Sequence, residues 1–282
     1  MVAEIISGKE LAQKLREDMK VEVDRLREAH IVPHLTVVLV GDDPASRSYV
    51  RGKEKASRET GISSDVIELP TSTTEEDLLK TIHQLNEDEN VHGILVQLPL
   101  PDHIREQLVI ETISPDKDVD GFHPISIGRM MTGQDTFLPC TPHGIIQMLK
   151  SKNISMTGKH AVIIGRSNIV GKPVGQLLLN EHATVTYCHS KTKDLKALTT
   201  QADILIAAVG KPNVIKADHI KEGAAVIDVG VNRLENGKLT GDVDFEAVKE
   251  KASYITPVPG GVGPMTITML LKNTIKAAEG LD

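Results

Sequence analysis

The chain has 282 residues, with 32 basic and 39 acidic side chains and a formal charge of −7. That balance, with no basic block, excludes a phosphate-backbone binder, and the absence of tryptophan beside only three tyrosines and three phenylalanines removes stacking platforms for single-stranded nucleic acid. No apolar run approaches membrane-spanning length, and Cys140 and Cys188 have no metal-type spacing. The expectation is a cytoplasmic, globular protein in a reducing compartment, with neither a membrane nor a metal as partner.

Taken in chain order, Ser7-Gly-Lys-Glu10 reads as a capping box, followed by an apolar stripe of Leu11, Leu15, Met19 and Leu26. Residues 35–40 are a continuous apolar run, expected of a strand buried on both faces. Asp43-Pro44 predicts the cap of a helix reaching Thr60. A strand at 66–69, a helix from Thr74 and a strand at 93–97 continue the alternation. Residues 114–141 are loop-rich and read as a domain boundary, after which Pro142 opens a linking helix to Lys150. A second alternation then places strands at 160–164, 184–187, 204–209 and 225–229, with helices at 172–180 and 195–200.

Two successive series of this kind imply two α/β domains with mainly parallel sheets, because parallel strands require crossovers. Near the end, Thr256-Pro-Val-Pro-Gly-Gly-Val-Gly-Pro-Met-Thr266 holds three prolines and three glycines and can continue neither helix nor ladder. It suits a ligand loop and a rigid interdomain turn equally. The helix predicted after it, 265–278, has no sheet of its own left to cover, so it is expected to return to the first domain and close a cleft. The expected division is 1–140 plus 264–282 in one domain, and 141–263 in a Rossmann-like second.

The first strand of that second domain ends in Gly165-Arg166-Ser167-Asn168-Ile169-Val170-Gly171. A glycine turn between a buried strand and a helix is where backbone N–H groups and the helix dipole meet phosphate. Ser167 replaces the second glycine of the usual fingerprint and the third is displaced to Gly171, so the turn alone is also consistent with an ordinary strand-to-helix connection. The next strand ends Tyr187-Cys-His-Ser-Lys-Thr192, without the acid that holds a ribose 2′-OH in NAD sites. His189, Ser190, Lys191 and Arg166 instead offer donors suited to a 2′-phosphate, which favours NADP.

In the first domain, Tyr49 and Lys53 are four apart on a predicted helix and share a face. A lysine there is usually a solvated charge. Arg47, Arg51, Lys55 and Arg58 crowd the same helix, however, and positive neighbours with partial burial would lower the Lys53 pKa towards acid–base use. Gln97 ends a buried strand, at the carboxyl edge where α/β sheets keep ligands. Asp116-Lys-Asp-Val-Asp-Gly121 lacks the glutamate of a calcium loop, leaving Asp120 as a candidate for holding a donor edge of a ligand.

Together, Tyr49-Val-Arg-Gly-Lys53, Gly93-Ile-Leu-Val-Gln-Leu-Pro-Leu-Pro101, Lys117-Asp-Val-Asp-Gly121, Pro139-Cys-Thr-Pro142, Gly165-Arg-Ser-Asn-Ile-Val-Gly171 and Pro257-Val-Pro-Gly-Gly-Val-Gly-Pro-Met-Thr266 resemble, in order along the whole chain, the bifunctional methylenetetrahydrofolate dehydrogenase/methenyltetrahydrofolate cyclohydrolase family. The resemblance implies NADP-dependent oxidation of 5,10-methylenetetrahydrofolate, then hydrolysis of the methenyl cation to 10-formyltetrahydrofolate. It implies that Lys53 is the catalytic lysine, Tyr49 the residue that stacks on folate, Gln97 the partner that tunes the lysine, and Asp120 the pterin anchor. Gly165, Arg166 and Ser167 match the phosphate turn, Ser190 a 2′-phosphate contact, and Val231, where isoleucine is frequent, the nicotinamide contact. Pro259, Gly260 and Gly261 are expected beside substrate, and a homodimer is expected from the family. The competing readings are a cyclohydrolase whose dehydrogenase half has lapsed, a non-catalytic dinucleotide sensor, and a different two-domain amino- or hydroxy-acid dehydrogenase.

Overall fold

The structure, a computed structural model, describes residues 2–280. In chain order its elements are β1 (Glu4–Ile5), α1 (Gly8–Glu28), β2 (His34–Val40), α2 (Pro44–Thr60), β3 (Ser63–Leu69), α3 (Glu75–Glu87), β4 (Gly93–Val96), α4 (Glu106–Thr112), α5 (Pro124–Thr132) and α6 (Cys140–Ser151). There follow β5 (His160–Ile164), α7 (Gly171–Asn180), β6 (Thr184–Cys188), α8 (Leu195–Thr199), β7 (Ile204–Ala207), a 3-10 turn (Ala217–His219), β8 (Ala225–Asp228), β9 (Asn232–Arg233), β10 (Leu239–Thr240), α9 (Phe245–Val248), β11 (Tyr254–Ile255) and α10 (Val262–Glu279). They form two compact units, Lys14–Cys140 with Ile267–Asp282, and Met1–Gln13 with Thr141–Thr266. The expectation of mainly parallel α/β sheets holds in both.

The first unit is built on a three-stranded parallel sheet in the order β3-β2-β4. β2 pairs on both edges, which is why six successive positions are buried, five of them apolar with Thr36 among them. Thr74 caps α3 by accepting from Asp77 N, with Glu75, Glu76 and Asp77 favourably placed in its first turn. Leu78 and Ile82 of α3 and Val109 of α4 then pack on Val38, Ile94 and Val96. A parallel bridge from Ile94 to Asp118 carries the acidic segment alongside β4. α10 is tied in through Asn273, whose Nδ2 donates to Val119 O at 2.8 Å and Leu138 O at 3.0 Å.

The second unit carries a six-stranded parallel sheet in the order β1-β11-β8-β7-β5-β6. Residues 161–164 of β5, 204–207 of β7 and 225–227 of β8 are apolar runs without alternation, packed under Ile215, Ile220, Val243 and Val248. All these strands run the same way, so the segments after β5, β6, β7, β8 and β11 share one carboxyl edge.

Three expectations are corrected. The first 13 residues group with the second unit, because β1 pairs in parallel with β11. The loop-rich segment 114–141 contains α5, capped by the His123 ring, which accepts from Ile125 N, and closed by Gly133 at φ 71°. The last helix begins at Val262, two residues before Pro264, which lies inside its first turn where a missing N–H costs nothing. Leu281 and Asp282 of the predicted segment lie outside the described residues.

Candidate active site

The first constellation is positioned by α2 and β4. Asp43 Oδ2 accepts from Ser46 N at 2.7 Å, Pro44 pre-sets the first turn, and Gly61 closes the helix at φ 82°. On this fixed helix, Tyr49 and Lys53 stand one turn apart. Lys53 is buried, at 8% exposure, whereas Tyr49 keeps 42%, so the lysine is desolvated and a ring face stays available. Gln97 follows β4, its N–H donating to Val38 O at 2.8 Å. Its Nε2 donates to Leu98 O at 2.6 Å, which orients the amide and leaves Oε1 to accept from Lys53 Nζ at 2.9 Å.

Asp120 joins this pair electrostatically. Burial pushes the Lys53 pKa down from the ordinary lysine value, while the Asp120 charge pulls it back up. Asp120 is partly exposed as a residue, yet the protein around its carboxyl lifts its pKa, with Lys53 opposing. Cys140 is fully enclosed, its thiol donating to Val119 O at 3.2 Å, and burial pushes that thiol well up. The structure therefore brings Lys53, Gln97 and Asp120 together, with Tyr49 on the same helix as the lysine.

Sequence reasoning passed over three neighbours. Asp118 accepts from His123 N at 2.8 Å, Phe122 N at 3.2 Å and Ser126 Oγ at 3.0 Å, and burial raises its pKa to about 7. Asn273 lies 3.7 Å from Cys140 Sγ and holds the Val119 and Leu138 carbonyls, which precede Asp120 and Cys140. Cys140 itself stands inside the Pro139–Pro142 motif without a role drawn from it. A lone buried asparagine on an apolar helix is a signal that could have found Asn273.

The second constellation lies on the carboxyl edge of the six-stranded sheet. Gly165 adopts φ +133°, and a Cβ there would meet Ala208 O at 2.3 Å, so only glycine makes this turn. A Cβ at Gly171 would meet Gly165 O at 2.5 Å. Ser167 Oγ accepts from Val170 N and Gly171 N, both at 3.2 Å, shaping the N-terminus of α7. Arg166 is exposed on this turn, Ser190 is exposed after the neighbouring β6, and Val231 is 48% exposed after β8. His189 and Lys191 flank Ser190, and no acid stands between Tyr187 and Lys193. A tight backbone cradle with only donors about it fits the phosphates and the 2′-phosphate of NADP. Pro259 follows a cis peptide bond, Gly260 has φ +97° and its carbonyl accepts from Lys9 N at 2.9 Å, and a Cβ on Gly261 would meet Pro257 O at 2.4 Å.

Two buried carboxylates on this edge were also missed. Asp228 accepts from Gly230 N, Asp242 N and Val243 N at 2.9–3.0 Å, and burial raises its pKa to about 6. Asp242 accepts from Val209 N, Gly210 N, Lys211 N and Asn232 Nδ2. The glycines beside them, Gly230 and Gly241, were the available sequence signal.

Comparison with known proteins gives a family match to each half. The model of the tetrahydrofolate dehydrogenase/cyclohydrolase catalytic domain matches residues 6–120, and that of the same family's NAD(P)-binding domain matches 139–281. The bifunctional protein FolD of Oceanobacillus iheyensis is 66% identical over 281 residues, covering 100% of this chain and 99% of its own. The bifunctional FolD methylenetetrahydrofolate dehydrogenase/cyclohydrolase of Campylobacter jejuni superposes with a TM-score of 0.97 at 54% identity, covering 98% and 99% of the two chains. The Trypanosoma brucei N5,N10-methylenetetrahydrofolate dehydrogenase-cyclohydrolase, solved with NADP cofactor and inhibitor, gives 0.95 at 38% identity, covering 99% and 98%.

Proposed function

The chain belongs to the tetrahydrofolate dehydrogenase/cyclohydrolase family, and from that premise we propose how its residues divide the work. It is a bifunctional enzyme of one-carbon folate metabolism. It oxidises 5,10-methylenetetrahydrofolate with NADP to the methenyl cation and hydrolyses that cation to 10-formyltetrahydrofolate.

Bound NADP supplies the hydride acceptor. The carbon that gives up the hydride lies between two nitrogens whose lone pairs stabilise the cation, so this step asks the protein for positioning rather than proton transfer. Tyr49 offers its exposed ring to the folate, Asp120 anchors the pterin, and Pro259, Gly260 and Gly261 present close backbone to substrate. Gly165, Arg166 and Ser167 hold the phosphates, with Ser190 on the 2′-phosphate and Val231 against the nicotinamide.

Hydrolysis does need proton transfer. Adding water to the cation releases one proton, and opening the ring moves the hydroxyl proton to N5. Lys53 serves both transfers: its amine, made accessible by a lowered pKa, takes a proton, and its ammonium returns one. Gln97 holds Nζ in place and tunes it. The observation that carries this assignment is a buried lysine nitrogen with one oriented acceptor, inside the half that matches the catalytic-domain model.

The test is a coupled assay of methylenetetrahydrofolate oxidation and methenyl decay in Lys53→Ala. Methenyl-to-formyl conversion is expected to vanish and oxidation to fall severely; normal conversion would remove Lys53 from the chemistry. We also propose a cytoplasmic homodimer. Both cysteines are free and buried, which suits a reducing compartment, and sedimentation of the purified chain reads the oligomeric state.

A further inference from the structure

Among the described residues, the buried lysine and aspartates divide evenly: Lys53 and Asp118 lie in the unit of the reacting groups, and Asp228 and Asp242 in the other. Asp228 and Asp242 are 3% and 0% exposed, on the carboxyl edge of the six-stranded sheet. Asp242 Oδ2 accepts from Val209 N at 2.7 Å and Gly210 N at 3.1 Å, while Oδ1 accepts from Lys211 N and Asn232 Nδ2, both at 2.9 Å. One carboxylate thus fixes the turn after β7 and the segment after β8 together. Asp228 anchors Asp242 in turn, accepting from Asp242 N at 2.9 Å, while its own N–H donates to Thr256 Oγ1 at 2.8 Å at the head of the Pro-Gly loop. The surroundings are built for this pair. A Cβ on Gly230 would stand 2.1 Å from Asp242 Oδ1, and one on Gly241 would stand 1.8 Å from Asp228 Oδ2.

Val231 lies between Gly230, held by Asp228, and Asn232, held by Asp242. Its side chain is nonetheless 48% exposed. We propose that Asp242 is a positioning residue for the dehydrogenase step, fixing the backbone at 209–211 and, through the Asn232 side chain, the 231–232 segment, which together form the nicotinamide end of the dinucleotide site. The proposal rests on the reading that Val231 faces the nicotinamide. It assigns Asp242 no contact with cofactor or substrate. A hydride donor and acceptor tolerate little misplacement, and an error near 1 Å costs on the order of a hundredfold in rate. Cyclohydrolysis needs no acceptor at that edge, so the two activities should separate.

The decisive variant is Asp242→Asn. Its amide can accept on one side only and turns a donor towards two of the four N–H groups now satisfied. Amide exchange at 209–211 is expected to rise by about tenfold or more. The dehydrogenase kcat should fall about tenfold to a hundredfold, with a smaller change in the NADP Kd measured by calorimetry. Cyclohydrolase activity on supplied methenyl substrate, without dinucleotide, should stay within about twofold. Faster exchange with unchanged kcat would overturn the proposal, as would an equal fall of both activities. If Asp242→Asn does not fold, Asn232→Ala removes one of the four bonds and should give the same split more weakly. Val231→Trp tests the underlying reading separately. An unaffected dehydrogenase there would mean that this edge does not face the nicotinamide. Damage there beside an intact Asp242→Asn would sink the positioning role alone.

Discussion

Gln97→Ala removes the acceptor that Lys53 Nζ uses at 2.9 Å. A hydrogen bond to a charged group contributes about 1.5–3 kcal/mol, and this one favours the ammonium over the amine. Burial already drives the Lys53 pKa down, with the Asp120 charge opposing it, so the variant moves the lysine further in the direction burial pushes. At a fixed pH the ammonium-to-amine ratio should fall by about tenfold to a hundredfold. If the amine is the base in hydrolysis, the ascending limb of cyclohydrolase rate against pH must move to lower pH. Gln97→Glu places a carboxylate at the same atom and must move the limb the other way. The assay is decay of methenyl absorbance across a pH series, corrected for uncatalysed hydrolysis. A limb that stays put in both variants, or that rises in Gln97→Ala, would refute the tuning of Lys53 by Gln97.

Two further outcomes follow from the geometry. Arg166→Ala removes an exposed guanidinium from the phosphate turn and should weaken NADP by about tenfold to a hundredfold, far more than it weakens NAD; equal losses by calorimetry would discard a 2′-phosphate contact for Arg166. Asp118 has a folded pKa raised from 3.8 to about 7, so the native state holds its proton more tightly than the unfolded chain. Its contribution is therefore present at low pH, is lost as pH rises from 3.8 towards about 7, and is level above that. Chemical denaturation over that range should show wild-type stability falling with pH relative to Asp118→Asn, and parallel profiles would refute the buried carboxyl as the cause.

Much of the scaffold was legible because local signals agreed with tertiary need. α2 announced itself through Asp43-Pro44, and β2 through a mainly apolar run that pairing on both edges keeps buried. α5 was invisible because Ile125 and Met131 are 47% and 59% exposed, which breaks the stripe a helix normally shows. β1 and β11 are two residues each and are defined by pairing at the end of the sheet, so neither has a pattern of its own. Within the site, Lys53 and Gln97 could be paired only by analogy, since no spacing rule joins residues forty-four apart. Asp118 and Asp120 were equivalent as letters; their hydrogen bonds are what separate them.

That separation gives a general criterion for this protein. A buried charge whose bonding capacity is filled by the fold is part of the frame, and one with capacity left over is available for chemistry. Asp118 is filled by two backbone N–H groups and the Ser126 hydroxyl. Asp228 and Asp242 are filled by backbone amides and one asparagine. Lys53 has three donors and commits one, to Gln97, while its charge and that of Asp120 restrain each other's titration. The Pro-Gly loop meets the same criterion from the other side. It carries no titratable group, and its close approaches, such as a Cβ on Gly8 meeting Gly261 O at 1.8 Å, are backbone against backbone. A loop of that kind can shape a binding surface but cannot move a proton. Proton transfer in hydrolysis therefore falls to Lys53 and its neighbours, although the loop is the most recognisable stretch of the sequence.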